Sequence, residues 1–207
     1  MNLKIKICGM KDPENIRQVA ELKPDYLGFI FYAGSQRYFS GNFDPLNDMI
    51  PKGIGKVGVF VNEQLYTVLK KIEKYQLDMV QLHGHETPEY CSHLKDQGIQ
   101  LIKAVRVKTE MDFIDLGKFE NICDYFLFDT AGREFGGTGE KFRWELLRQY
   151  SGNKPYFLSG GIGPDDAMII KKLDYNGLFA IDINSRFEIS PGIKNVTLID
   201  TFMQLIK

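Results

Sequence analysis

The sequence predicts a closed (β/α)8 barrel that fills residues 1–207 as one domain. Three observations predict it. Eight short β-rich runs recur along the chain, their starts 22 to 32 residues apart. Turns and amphipathic segments lie between them, and strands that alternate with helices form a parallel sheet, because parallel neighbours need a crossover connection. Eight near-equal units exceed the roughly six strands of an open doubly wound sheet, and 207 residues lie near the short end of the barrel's range, with no room for a second domain.

The runs are LKIKIC (3–8), YLGFIFY (26–32), GKVGVFV (55–61), DMVQLH (78–83), QLIKAVRV (100–107), CDYFLFD (123–129), PYFLS (155–159) and LFAIDI (178–183). After the first, Asp12-Pro13-Glu14 offers an N-cap and a first-turn proline, followed by apolar Ile16, Val19 and Ala20. The segment after the second run is short, and its Pro45 and Asp48 make it a poor helix. Asn62 is expected to cap a helix whose apolar face is Leu65, Val68, Leu69 and Ile72. Thr87-Pro88-Glu89 opens the next. Pro164-Asp165-Asp166 opens the seventh, and residues 195–206 close the chain.

Composition excludes several classes. With 43% hydrophobic and 26% charged residues the chain is neither disordered nor unusual for a globular protein. Its 26 basic and 27 acidic residues give a net charge of −1, and no basic run marks a nucleic-acid surface. The longest apolar runs are strand-sized, against about 20 residues for a membrane helix. The start, MNLKIK, lacks the pattern of a secretory signal, so a cytoplasmic protein is expected. Three cysteines with no CxxC pair fit neither a disulfide framework nor a zinc site.

In barrels of this kind chemistry sits where strands end and loops begin. Period-two alternation turns Ile5 and Ile7 to the helices and Lys6 and Cys8 into the barrel. Cys8 then reaches the rim just before Gly9, and the charge of Lys6 is expected to favour its thiolate. Phe126 and Phe128 face outward, which turns Asp129 inward at the end of the sixth run. A carboxylate there is costly unless it is paired or at work. Cys91 and Cys123 fall in a helix and at a strand start, and read as structural. The glycine-rich segment 131–144 reads as a lid over the site.

The seventh run ends Ser159-Gly160-Gly161-Ile162-Gly163, and the eighth ends Asp182-Ile183-Asn184-Ser185. Loops after strands 7 and 8 are the usual phosphate site of this fold, with backbone N–H groups and a helix N-terminus turned to the anion. Arg37, after the second run, can clamp a carboxylate bidentately. His83 faces the same way as Gln81 and lines the site. His85 reads as a loop residue, since a His-x-His metal pair lacks further rim ligands beyond Asp129 and Asp182.

These blocks resemble the phosphoribosylanthranilate isomerase family, small (β/α)8 enzymes of tryptophan biosynthesis. The resemblance is carried by KICG (6–9), GFIFYAGSQRY (28–38), VGVFVN (57–62), VQLHG (80–84), FDT with GGTG and a Trp (128–144), LSGGI (158–162), and DINS with PGIKN (182–195). It implies Cys8 as general base and Asp129 as general acid. It also implies Arg37 on the anthranilate carboxylate, Gly160, Gly161, Ile162, Asn184 and Ser185 on the phosphate, and His83 and Asp182 along the site. Two departures stand out. Asn184-Ser185-Arg186 replaces a Ser-Ser-Gly-like stretch, and Arg143 replaces an acidic residue before Trp144.

The implied reaction is an Amadori rearrangement of an N-ribosyl aromatic amine. The acid protonates the ring oxygen, the ring opens to an iminium ion, and the base removes the C2′ proton. The iminium acidifies that proton, so the reaction needs no metal or organic cofactor. The expected partner is this small phosphosugar alone, with no nucleic acid or membrane, in a monomer or homodimer. Two other readings are another phosphosugar isomerase or epimerase on the same barrel, and a non-catalytic phosphosugar-binding barrel. The first, if metal-dependent, would stop with a chelator. The second would bind ligand but turn nothing over.

Overall fold

The structure, a computed structural model, describes residues 3–41, 46–108, 113, 116–130 and 143–206. Its centre is a closed parallel barrel of eight strands in sequence order. The strands are β1 (Lys4–Cys8), β2 (Tyr26–Ile30), β3 (Gly55–Phe60), β4 (Met79–Leu82), β5 (Gln100–Val107), β6 (Tyr125–Thr130), β7 (Tyr156–Leu158) and β8 (Leu178–Ile183). β8 closes onto β1 with Lys6 opposite Asp182. All eight runs read from the sequence are strands, mostly trimmed by a residue or two at the ends, where the last side chains turn into loops.

Helices fill the outside: α1 (Pro13–Glu21), α2 (Leu46–Met49), α3 (Leu65–Tyr75), α4 (Pro88–Lys95), α5 (Gly117–Glu120), α6 (Ala167–Ile170) and α7 (Val196–Ile206). Two caps form as expected. Asp12 accepts from the Asn15 N–H at 2.8 Å, and Thr87 from the Tyr90 N–H at 3.3 Å. The third does not. Asn62 adopts φ of 50°, its side chain accepts from the His85 N–H at 2.7 Å, and α3 starts beyond it with no side-chain cap. Its carboxamide serves the β4 loop, which no local pattern shows. Where a helix was expected at Pro164 there is a 3-10 turn (Pro164–Asp166) running into the four-residue α6.

The core has two parts. The larger lies between barrel and helices, and includes Ile5, Ile7, Phe126 and Phe128. The smaller lies inside the barrel: Val57, Met79, Ile102, Leu127, Phe157 and Ala180, with Tyr26, Tyr125 and Phe179 packed against it. After β8 a 3-10 turn (Ser185–Phe187) leads to an antiparallel hairpin of β9 (Glu188–Ser190) and β10 (Ile193–Lys194). Among the described residues no helix is long and apolar enough to cross a membrane.

Candidate active site

The pocket opens at the C-terminal ends of the strands, as the fold rule requires. Its lining includes Cys8, His83, Asp129, Gly160, Gly161, Ile162, Asp182, Asn184 and Ser185. Nine of the ten residues singled out in the sequence therefore converge on one cavity. Ile30, Val59 and Val61 give it an apolar wall, while Tyr32, Ser35, Gln81 and Ser159 add polar atoms that were given no role from the sequence, although each lies within one of the quoted blocks.

Cys8 sits at the end of β1 and is buried. Opposite it on β2 is Gly28, where a Cβ would come within 2.8 Å of the Cys8 Sγ and 3.2 Å of the Lys6 side chain. Only a residue without a side chain leaves both groups room inside the barrel. Burial raises the Cys8 thiol above its ordinary pKa, and Asp182 adds to the rise, although Lys6 and Lys194 oppose it. The charge of Lys6 favours the thiolate as expected, but burial outweighs it. The Lys6 ammonium is fully buried and shared with the Asp182 Oδ1 at 2.9 Å. Burial works against the Lys6 charge, but Asp182 and Cys8 outweigh it and raise its pKa. Lys6 stays a cation, anchored between the two.

Asp129, the penultimate residue of β6, faces the pocket, while its neighbours Phe126 and Phe128 are buried on the helix side. Its Oδ1 accepts the Thr130 N–H at 2.8 Å, and its Oδ2 lies 3.4 Å from His83 Nε2. Gln81 Nε2 is 2.9 Å from His83 Nδ1. With the amide donating, the imidazole carries its proton on Nε2, the edge that faces Asp129. Gln81 and His83 share a face of β4, as alternation predicts. His85 is exposed and outside the pocket lining.

After β7, Gly160 and Gly161 take φ of 88° and 66°, in the region that suits glycine. The expected helix dipole is a smaller contribution than the sequence suggested. The turn at Pro164 is short, and the Gly163 N–H is taken by Asp166 Oδ2 at 2.7 Å. Gly160, Gly161 and Ile162 after β7 and Asn184 and Ser185 after β8 line the pocket. Arg186 is exposed and lies near Gly163, its Nε 3.5 Å from where a Cβ there would be.

Arg37 is the tenth residue, and the structure places it differently. It is outside the pocket lining, and its guanidinium grips Glu188 through Nε and Nη2 at 2.8–3.0 Å. A carboxylate clamp is present, but Glu188 occupies one edge of it. Glu188 and Lys194 lie on strands of three and two residues that have no periodicity to find, and PGIKN was the only signal near them. Of the proposed lid, residues 131–144, all but the last two lie outside the described residues. Arg143 is described and exposed, just before the 3-10 turn Trp144–Gln149. Cys91 and Cys123 are buried in the outer core, away from the pocket.

A (β/α)8 barrel with a thiol, two carboxylates and an imidazole around one pocket at its strand ends defines a barrel enzyme of the acid–base type. Within that class the chain belongs to the N-(5'-phosphoribosyl)anthranilate isomerase family, whose model matches residues 5–205. The N-(5'-phosphoribosyl)anthranilate isomerase of Phocaeicola vulgatus is 40% identical over 203 residues, covering 98% of this chain and 97% of its own. That of Parabacteroides distasonis is 42% identical over 207 residues, covering 98% and 92%. Among solved structures, phosphoribosyl anthranilate isomerase from Thermotoga maritima superposes with a TM-score of 0.85 at 33% identity, covering 99% and 98%. Another, in complex with reduced 1-(o-carboxyphenylamino)-1-deoxyribulose 5-phosphate, gives 0.80 at 30% identity, covering 99% and 98%.

Proposed function

We propose that the chain converts N-(5'-phosphoribosyl)anthranilate to 1-(2-carboxyphenylamino)-1-deoxyribulose 5-phosphate in tryptophan biosynthesis, with Cys8 as general base and Asp129 as general acid. The observation that carries the reading is that Cys8 and Asp129, 121 positions apart, line the same pocket as the glycine loop after β7. Asp129 gives a proton to the furanose oxygen, the ring C–O bond breaks, and the amine nitrogen forms the iminium. The Cys8 thiolate removes the C2′ proton, and the enolamine tautomerises to the ketone. Each proton transfer is worth about 10²–10⁴-fold.

His83 steadies Asp129, and the fixed Lys6–Asp182 pair sets the floor beneath Cys8. Gly160, Gly161, Ile162, Asn184 and Ser185 hold the phosphate, with Arg186 as an added cation at the loop's edge. Arg37 holds the anthranilate carboxylate with the guanidinium edge that Glu188 leaves. One barrel domain does this work in the cytoplasm, as a monomer or homodimer, with no metal or organic cofactor. The test is fluorescence-monitored turnover of N-(5'-phosphoribosyl)anthranilate by purified protein. Turnover that persists with chelator supports the reading. Binding without turnover would leave a phosphosugar-binding barrel.

A further inference from the structure

Arg37, Glu188 and Lys194 come from distant parts of the chain and form one run of charges beside the pocket. The Glu188 carboxylate accepts from Arg37 Nε at 2.9 and 3.0 Å and from Arg37 Nη2 at 2.8 Å. The same carboxylate accepts from Lys194 Nζ at 2.7 Å and from the Gly192 N–H at 3.1 Å. The Lys194 and Glu188 side chains are 0% and 4% exposed. Asn15 fixes the Lys194 backbone from both sides, accepting its N–H at 2.7 Å and donating to its carbonyl at 2.9 Å.

The ammonium of Lys194 also reaches the loop after β8. It donates to Asn184 Oδ1 at 2.7 Å and to the Asn184 carbonyl at 3.3 Å. A side chain added at Gly9 would strike both Arg37 Cδ, at 2.8 Å, and Asn184 Oδ1, at 2.7 Å. Arg37 and Asn184 therefore both approach Gly9, directly after Cys8 at the end of β1.

Two physical facts give this cluster a purpose. A guanidinium has two edges that can each grip a carboxylate with parallel N–H groups. Glu188 takes the Nε–Nη2 edge, which fixes the direction of the Nη1–Nη2 edge. The cluster also holds two cations and one carboxylate. A net positive charge held away from water is expensive, and a second carboxylate would neutralise it.

We propose that Glu188 and Lys194 are positioning residues: Glu188 turns the Nη1–Nη2 edge of Arg37 to the carboxylate of the aromatic amine, and Lys194 supplies the charge that makes the cluster bind anions. Through Asn184 the same ammonium sets the spacing between the carboxylate end and the phosphate end of the substrate. The inference rests on Arg37 as the residue that holds the substrate carboxylate.

The test compares inhibition by reduced 1-(2-carboxyphenylamino)-1-deoxyribulose 5-phosphate with inhibition by its phenylamino counterpart, which lacks the carboxylate. The ratio of the two inhibition constants reads the carboxylate grip alone. Glu188→Gln and Lys194→Met should each cut the preference for the carboxylated ligand about tenfold or more, the loss of a charged hydrogen bond. Affinity for the phenylamino ligand should fall less than affinity for the carboxylated one, and KM for substrate should rise more than kcat falls. If either single variant fails to fold, the double variant Glu188→Gln/Lys194→Met removes both buried charges and carries the same expectation. An unchanged preference in folded variants, or equal weakening of both ligands, overturns the inference. Arg37→Ala, measured alongside, separates the two levels. If it erases the preference while the Glu188 and Lys194 variants keep it, the positioning role fails and Arg37 stands. If it leaves the preference intact, the role of Arg37 fails and the positioning role falls with it.

Discussion

The inside of the barrel has two halves built on the same strands, and they are chemically opposite. The lower half is a plug of Val57, Met79, Ile102, Leu127, Phe157 and Ala180, with the rings of Tyr26, Tyr125 and Phe179 at its edge. Phe179 lies 4.8 Å from Tyr125 and 5.5 Å from Phe157, centroid to centroid. Lys4, the charge at that end, lies over the rings of Tyr26 and Phe179 at 5.6 and 5.3 Å. The upper half carries the buried Lys6–Asp182 pair, the Cys8 thiol, Asp129 and His83. One half gains stability from apolar burial, while the other holds polar groups that gain little from being buried. The difference teaches where each kind of damage should appear: unfolding from below, lost turnover from above.

The largest effect should come from below. Phe157→Ala opens a cavity in the plug and should lower unfolding free energy by about 3–5 kcal/mol in denaturant titration. Turnover per folded molecule should hold. A folded variant that has lost its turnover would erase the division between the halves.

Next comes the thiol above. Cys8→Ala should cut kcat/KM by at least ~10²-fold with a far smaller change in stability. The pH profile sharpens this. Because burial raises the thiol's pKa, the neutral form dominates at neutral pH and the base appears as pH rises. The wild-type rate should therefore climb through the mildly alkaline range, by up to about tenfold per pH unit while the thiol is mostly protonated. A flat profile there would remove Cys8 as the base.

Arg37→Ala should weaken substrate binding by about 1.5–3 kcal/mol, with a smaller loss for an amine that lacks the carboxylate. Equal losses for both would assign Arg37 to structure alone. The smallest effect belongs to Cys91→Ala. This thiol is as buried as Cys8 but packs in the outer core, so turnover should be unchanged. A clear loss would mean that the outer core reaches the site.

Strand positions were legible because the signals are local. LFAIDI at 178–183 is β8 from end to end, and alternation alone placed Cys8 and Asp129 on the inner face. What the sequence hid is long-range. Lys6 meets Asp182 only because the barrel closes, 176 residues apart. The engagement of Arg37 by Glu188 depends on a hairpin too short to show a period. Asn62 carried a cap residue's identity, but its carboxamide was claimed by the loop after β4.

The central claim is that the upper half works by acid–base transfer between Asp129 and Cys8, and Asp129→Asn tests it most directly. Turnover of N-(5'-phosphoribosyl)anthranilate and binding of reduced 1-(2-carboxyphenylamino)-1-deoxyribulose 5-phosphate should be measured on the same folded protein. The asparagine keeps the size of the side chain and an oxygen to accept the Thr130 N–H, but it cannot supply the carboxyl proton. The account predicts a loss of at least ~10²-fold in rate with affinity for the reduced ligand largely kept. Rate and affinity falling together would make Asp129 a binding residue, and the acid would have to be another group on the rim.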